Sequence, residues 1–172
     1  MLKNSCLILI MLVFTASGFS YAQTPAEFNK NLSARADSFF RLGAIWGNKL
    51  EDITNGSKRY DELKPYRLKA IEYLDAQVSE LGTLRDVKDS KALRMALIDF
   101  LKFEKGLINS AFMQIEKLAP YSTSKEVEDA FAHLEQESQK EEPYLMKLTQ
   151  AQDTYAKNNG FKVEHEEGKK MD

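Results

Sequence analysis

The chain has 172 residues, a formal net charge of −2 and hydrophobic side chains at 43% of its positions. It shows no basic patch or stripe of the kind that nucleic-acid binding requires, so we expect no nucleic-acid partner. The single cysteine, Cys6, lies in the first apolar run. If this run is removed by cleavage, the remaining chain has no cysteine. That would exclude disulfides, thiol catalysis, cysteine zinc sites and covalent c-type haem attachment.

Residues 1–22 have the layout of a secretory signal peptide. An apolar run extends from Cys6 to Phe14, and small residues at Ser20 and Ala22 precede the expected cut. This run is about half of the roughly 20 residues that span a bilayer, so we expect cleavage after Ala22 and no membrane span afterwards. Removing 22 of the 172 residues leaves 150, a usual size for one domain. We therefore predict an exported protein, either periplasmic or at the cell surface.

The first predicted helix runs from about Pro25 to Ile53. Thr24 is a suitable N-cap because Glu27 follows it by three positions, as in a capping box. Side chains that can face a core recur along it with heptad spacing: Leu32, Ala36, Phe39, Gly43, Trp46, Leu50 and Ile53. Asn55 and Gly56 are expected to end it, since both tolerate the left-handed conformation of a helix cap.

The second predicted helix covers roughly residues 58–85, with an apolar face that Arg67 interrupts. Pro65 either kinks its first turns or marks its true start. The third predicted helix runs from a cap at Asp89 or Ser90 to about residue 119 and has apolar side chains around more than half of its circumference. Such a helix is either central in the core or part of a second interface. Homo-oligomerisation through this helix is therefore one expected kind of partnership.

The fourth predicted helix opens with a second capping box, Thr123 and Glu126, and ends near Gly160. Residues 162–172 follow as a charged, flexible tail. Four long helices joined by short loops pack as antiparallel neighbours. The predicted fold is an all-α, antiparallel up-down-up-down four-helix bundle over residues 23–161. A three-helix packing with one helix docked elsewhere is the alternative.

The fourth helix loses its apolar stripe before Leu145. Glu141 falls at a core-type position there, and Pro143 is expected to bend the helix. One interpretation is that the bend lifts this stretch into water, because buried carboxylates are costly. The other places Glu141 at the rim of a groove, with Glu142 and Tyr144 beside it, in contact with a ligand or partner.

No catalytic, metal or cofactor site can be built from the motifs present. Of the two histidines, His165 lies in the tail and His133 falls off the apolar stripe, which disfavours haem. His133 shares a helix face with Asp129 and Glu137, the pattern of a solvated charge row. A Gly-x-Ser-x-Gly nucleophile elbow is also missing from the sequence. We therefore expect a protein that is not an enzyme and that holds no cofactor or metal.

Several aromatic side chains at helical spacing either pack in the core or line an apolar pocket. They are Phe39, Phe40, Trp46, Phe100, Phe103 and Phe112. Gly43 lies between Phe39 and Trp46 and indicates either a close helix approach or a gap. A cavity at this point would make the protein a carrier of an apolar ligand, the alternative function.

Short segments in the second half of the chain carry a resemblance to a known family. They are Ser90–Arg94, Phe100–Phe103 and Ala151–Phe161. Across residues 58–161 the chain resembles the uncharacterised leptospiral-type surface protein family, which is found also in Bacteroidota. The resemblance implies an exported helical protein with no assigned activity, and it transfers no catalytic residue.

The predicted function is that of a non-enzymatic secreted or envelope-associated protein that binds a partner or ligand. The partner is expected to be an unidentified protein or a small apolar molecule. The candidate ligand-binding residues are Trp46, Glu141, Glu142 and Tyr144.

Overall fold

The computed structural model describes residues 23–163, which form an all-α four-helix bundle. The predicted signal peptide and the charged tail beyond Val163 lie outside the described residues. The helices are α1 (Pro25–Asn55), α2 (Lys64–Thr83), α3 (Lys91–Leu107), α4 (Met113–Glu116), α5 (Ser124–Ser138) and α6 (Glu142–Asn159). Of these helices, none is long and apolar enough to cross a membrane.

Two short turns join the six helices into four helical segments, and a third turn extends one segment at its start. A 3-10 turn, Tyr60–Leu63, precedes α2, and a π-helical turn, Ile108–Phe112, links α3 to α4. A second 3-10 turn, Gln139–Glu141, links α5 to α6. The predicted third and fourth helices are therefore each interrupted by a turn of a different helical type. Pro65 lies in the first turn of α2 and marks its start. Proline is tolerated there because the first N–H groups of a helix have no acceptor within the helix, so the N–H that proline lacks is not missed.

Contacts between side chains establish the antiparallel order of the bundle. Near the start of α1, Arg35 pairs with Glu80 near the end of α2 at 2.7 Å. Towards the opposite end, Lys49 pairs with Glu62 at 3.1 Å. The α6 helix likewise runs antiparallel to α1 and to α3, and α3 packs against both α2 and α6. The predicted up-down-up-down bundle is confirmed, and the central position of α3 accounts for its wide apolar surface.

Two apolar clusters along the bundle form the core. The larger surrounds α3 between α1, α2 and α6, and includes Phe28, Leu74, Leu97 and Phe100, each at most 1% exposed. The smaller lies around Trp46 on α1 and reaches α4 and α5. The heptad positions predicted on α1 are buried apart from Gly43, which is partly exposed.

Thr123 caps α5, and replacing it tests how much local capping contributes to stability. Its hydroxyl accepts the Glu126 N–H at 3.2 Å, and the Glu126 carboxylate accepts the Thr123 N–H at 2.7 Å. We expect Thr123→Ala to lower the free energy of unfolding by about 1 kcal/mol, because one helix N–H loses its acceptor. Urea denaturation measures this, with the exposed neighbour Ser124→Ala as control. Equal stability of the two variants would contradict the prediction.

Candidate functional site

A cleft opens at the surface between α1 and α6, with α3 beneath it, and has a volume of about 190 Å³. Apolar side chains of all three helices line most of it: Leu32, Ala36, Phe40, Leu93, Leu97, Leu145 and Leu148. Polar side chains line the remainder: Asn29, Ser33, Asp37, Thr149 and Gln152. The cleft thus offers an apolar space with a polar edge.

Small side chains on α1 account for this space. Ser33 and Ala36 lie where α1 faces α6, and neither is large enough to fill the gap between the helices. The Gln152 amide donates to the Ser33 hydroxyl at 2.9 Å and ties α6 to α1 at the edge of the cleft. Towards the start of α1, Phe28 packs edge-on against Tyr155 with ring centroids 6.2 Å apart. The two helices are therefore held together on one side of an unfilled space.

The cleft continues outward into a wider surface groove of about 1200 Å³. Residues that line both spaces form the junction: Asn29, Ser33, Asp37, Phe40, Thr149 and Gln152. The groove is more polar than the cleft and also includes Lys30, Arg41 and Lys162. In the part of the chain that the structure describes, the apolar cleft is therefore open to solvent through this groove.

Asn29 stands out at this junction because its side chain is 8% exposed and is not hydrogen-bonded through its oxygen. Asn29 Oδ1 accepts no hydrogen bond from any donor among residues 23–163. Buried polar groups without a partner are uncommon in folded proteins and are often found where water, an ion or a ligand binds. Asn29 therefore borders the cleft with a side chain whose oxygen is buried and has no partner among the described residues.

Phe40 is the aromatic side chain of the cleft. It is 44% exposed although its ring lies 5.7 Å from that of the fully buried Phe100 and 5.9 Å from that of Phe39. One edge of the ring is thus supported by the core, while the rest is presented to the cleft and the groove. This arrangement suits contact with a second aromatic ring.

The four residues predicted to bind a ligand lie elsewhere in the bundle, and none of them lines the cleft as the structure describes it. Trp46 is 3% exposed and stacks on Phe112 with centroids 3.8 Å apart. Tyr144 stacks on Phe103 at 4.5 Å, and Glu142 is exposed. Glu141 is half-buried in the turn between α5 and α6. Their part in ligand binding stays a prediction.

Gly43, the position at which the sequence indicated a close approach or a gap, lies beside open space. A Cβ atom added there would meet no heavy atom of a neighbouring element within 4 Å. The packing therefore does not show the close approach, and Gly43 lines neither the cleft nor the groove. The cleft itself lies further towards the start of α1, at Asn29 to Phe40.

Glu141 faces a second carboxylate, that of Glu104 on α3, which is 5% exposed. Glu104 Oε1 accepts no hydrogen bond from a donor group of the described residues. Burial raises the pKa of Glu104 to about 8, and the charge and hydrogen bonding of Glu141 raise it too. Burial also raises the pKa of Glu141, partly offset by its hydrogen bond with Glu104. Two carboxyl groups in this arrangement hold one proton between them and titrate as a pair.

Neither Asn29 nor Glu104 was found from the sequence, although each follows a regular spacing. Glu104 lies one heptad after Leu97 and so continues the buried face of α3. Asn29 opens a second stripe on α1, which continues through Ser33 and Phe40 beside the main heptad. In both cases a polar residue occurs at a position whose helical spacing places it on a buried face, and this was the signal available in the sequence.

The predicted row of solvated charges on α5 is only partly solvated, because His133 is partly buried. Asp129 pairs with Lys125 at 2.8 Å on the exposed face of α5. His133 is only partly exposed, and its Nε2 atom is buried without a hydrogen-bond partner among the described residues. Within residues 23–163, no group of three or more His, Cys, Asp or Glu side chains is arranged to hold a metal ion.

Comparisons with protein-family models, curated proteins and solved structures each return no match to this chain. The resemblance to the leptospiral-type surface protein family therefore stays a prediction.

Proposed function

We propose that this protein is a non-enzymatic binding protein that holds a small apolar molecule in the cleft between α1 and α6. The observation that carries the proposal is the unfilled apolar space of about 190 Å³, lined by three helices and open to solvent. A dry apolar cavity of about 150 Å³ is enough to bind benzene. The cleft therefore has room for a ligand of about this size.

The polar groups of the cleft support binding rather than catalysis. The Ser33 hydroxyl is engaged by the Gln152 amide, which cannot activate it as a nucleophile. Asp37 is exposed, and it is the one titratable side chain among the described residues that line the cleft, so it has no acid or base partner there. The layout of residues 1–22 supports an exported location, either in the periplasm or at the cell surface.

Filling the cleft tests this function. Ser33→Phe places a ring in the space between α1 and α6, and we expect it to weaken binding of indole and toluene at least about tenfold, because the ring occupies their volume. Saturation-transfer difference NMR and calorimetric titration measure the loss, and circular dichroism checks that the variant stays helical. Ser79→Phe is the matched control, since Ser79 is exposed on α2 away from the cleft.

Two results would overturn the proposal. In one, the wild-type protein binds neither probe at millimolar concentration. In the other, Ser33→Phe binds both probes as well as the Ser79→Phe control does.

A further inference from the structure

We infer that the cleft binds a small organic anion with one ring-sized apolar group, which places that group in the cleft and its anionic group in the outer groove. This inference rests on the proposed function, since it names the class of ligand that the same cleft would bind. Three features of the described residues support it: the size of the cleft, its continuity with the groove, and the positive charge at one end of the groove.

The cleft has room for one ring and little more. Its volume of about 190 Å³ exceeds the roughly 150 Å³ of a cavity that binds benzene and is below the roughly 300–1,000 Å³ of sites for drug-sized ligands. Phe40 lines the cleft with a side chain that is 44% exposed, and the buried Leu93 and Leu97 line it from α3. A ring-sized apolar group can therefore be buried here, whereas the rest of a larger ligand must extend into the groove.

The groove brings a cation close to the cleft, because the two spaces share part of their walls. Asn29, Ser33 and Gln152 line both spaces. Lys30 follows Asn29 in α1, lies less than one turn before Ser33, and lines the groove with an exposed side chain. Lys30 therefore presents its ammonium group to the groove within one helical turn of residues that line the cleft.

Lys162 supplies a second cation at the same end of the groove, which it lines with an exposed side chain. Gly160 ends α6 in the left-handed conformation, and the Phe161 ring then packs edge-on against Tyr155 with centroids 5.7 Å apart. These contacts hold the chain just beyond α6 against the bundle. Because α6 runs antiparallel to α1, the end of α6 lies level with the start of α1, where Lys30 lies.

The charge of the groove favours an anion over a cation. Among the described residues that line it, Lys30, Arg41 and Lys162 are cationic and Asp37 alone is anionic, although the whole chain has a formal net charge of −2. Asp37 lies about two helical turns after Lys30, roughly 10 Å along the axis, which exceeds the Debye length of about 8 Å at physiological salt. An anionic group beside the two lysines is therefore attracted more strongly by them than it is repelled by Asp37.

Two probes of opposite charge and nearly equal size test this ligand class. 3-Phenylpropanoate carries a carboxylate and 3-phenylpropylammonium carries an ammonium group on the same phenylpropyl frame. We expect the wild-type protein to bind the anion at least about tenfold more tightly at low ionic strength, where charges at the surface are least screened. Calorimetric titration of the purified protein measures both dissociation constants.

Reversing both lysine charges is expected to reverse the preference. In Lys30→Glu with Lys162→Glu, the groove attracts the ammonium group instead, so 3-phenylpropylammonium should bind more tightly than 3-phenylpropanoate. Lys64→Glu with Lys102→Glu is the matched control, because it changes the net charge by the same amount at exposed positions that line neither space. This control should retain the preference for the anion.

Equal binding of the two charged probes to the wild type, or a preference for the anion that persists in Lys30→Glu with Lys162→Glu, would overturn the inferred ligand class. In either case, binding of toluene that is lost in Ser33→Phe would leave the proposed function standing. Wild-type protein that bound toluene but neither charged probe would likewise overturn the ligand class alone. Binding of none of these probes would overturn both.

Discussion

Arg67→Met is expected to lower the free energy of unfolding by about 3–5 kcal/mol, because it leaves the charge of Glu116 buried without a cation. Arg67 Nε donates to Glu116 Oε1 at 2.7 Å, and the two side chains are 9% and 7% exposed. The pair joins α2 to α4 at the point where Arg67 interrupts the apolar face of α2. Urea denaturation at neutral pH measures the loss.

Removing both charges should lower the free energy of unfolding much less than removing only one of them. In Arg67→Met with Glu116→Leu, no unpaired charge remains, and well-packed apolar side chains can replace a buried ion pair with little net change. Lys125→Met is the control, since Lys125 and Asp129 are 80% and 64% exposed, and such surface pairs contribute at most about 0.5 kcal/mol. If Arg67→Met lost no more stability than Lys125→Met, the assigned role of the buried pair would be wrong.

The second large effect is a loss of stability as pH rises, caused by Glu104. Burial raises its pKa from 4.5 to about 8 in the folded protein, so the folded state binds this proton more tightly than the unfolded state. The contribution of Glu104 to the free energy of unfolding is therefore fully present below about pH 4.5 and is lost as the pH rises to about 8. Each pKa unit corresponds to about 1.4 kcal/mol, so the loss has a ceiling of about 5 kcal/mol.

Glu104→Gln separates this effect from the other titrations of the chain. The amide can still donate to Glu141 but carries no titrating proton, so the variant should lose little stability between about pH 5 and pH 9. Above pH 8 it should be more stable than the wild type. Denaturation at a series of pH values measures both curves, and Glu128→Gln on the exposed face of α5 is the control. Parallel curves for the wild type and Glu104→Gln would contradict the assignment.

A different group, Asp86, makes the protein less stable as the pH falls into the acid range. Arg94 Nε donates to Asp86 Oδ1 at 2.7 Å, and this hydrogen bond lowers the pKa of Asp86 below its ordinary value of 3.8. The stability that this pair contributes is present above that pH and is lost as the pH falls through the lowered pKa. The two titrations therefore fall in different pH ranges, and the loss between about pH 4.5 and pH 8 is separate from the loss in acid.

Helix positions and helix ends were predictable because they depend on residues close together in the chain. The capping boxes at Thr24 and Thr123 are both present in the structure, and each needs only one residue and the third after it. The heptad stripe of α1 is buried for a similar reason, since helical periodicity alone places those side chains on one face. The all-α bundle follows from stripes of this kind joined by short loops.

The candidate site was not predictable in the same way, because it depends on which helices become neighbours and at what register. The cleft exists because Ser33 and Ala36 of α1 come opposite Leu145 and Leu148 of α6, more than 100 positions later. Glu104 meets Glu141 only because α3 and α6 run antiparallel at one register. Periodicity states which face of a helix is buried, but the space left between two faces is decided by how their side chains fit together.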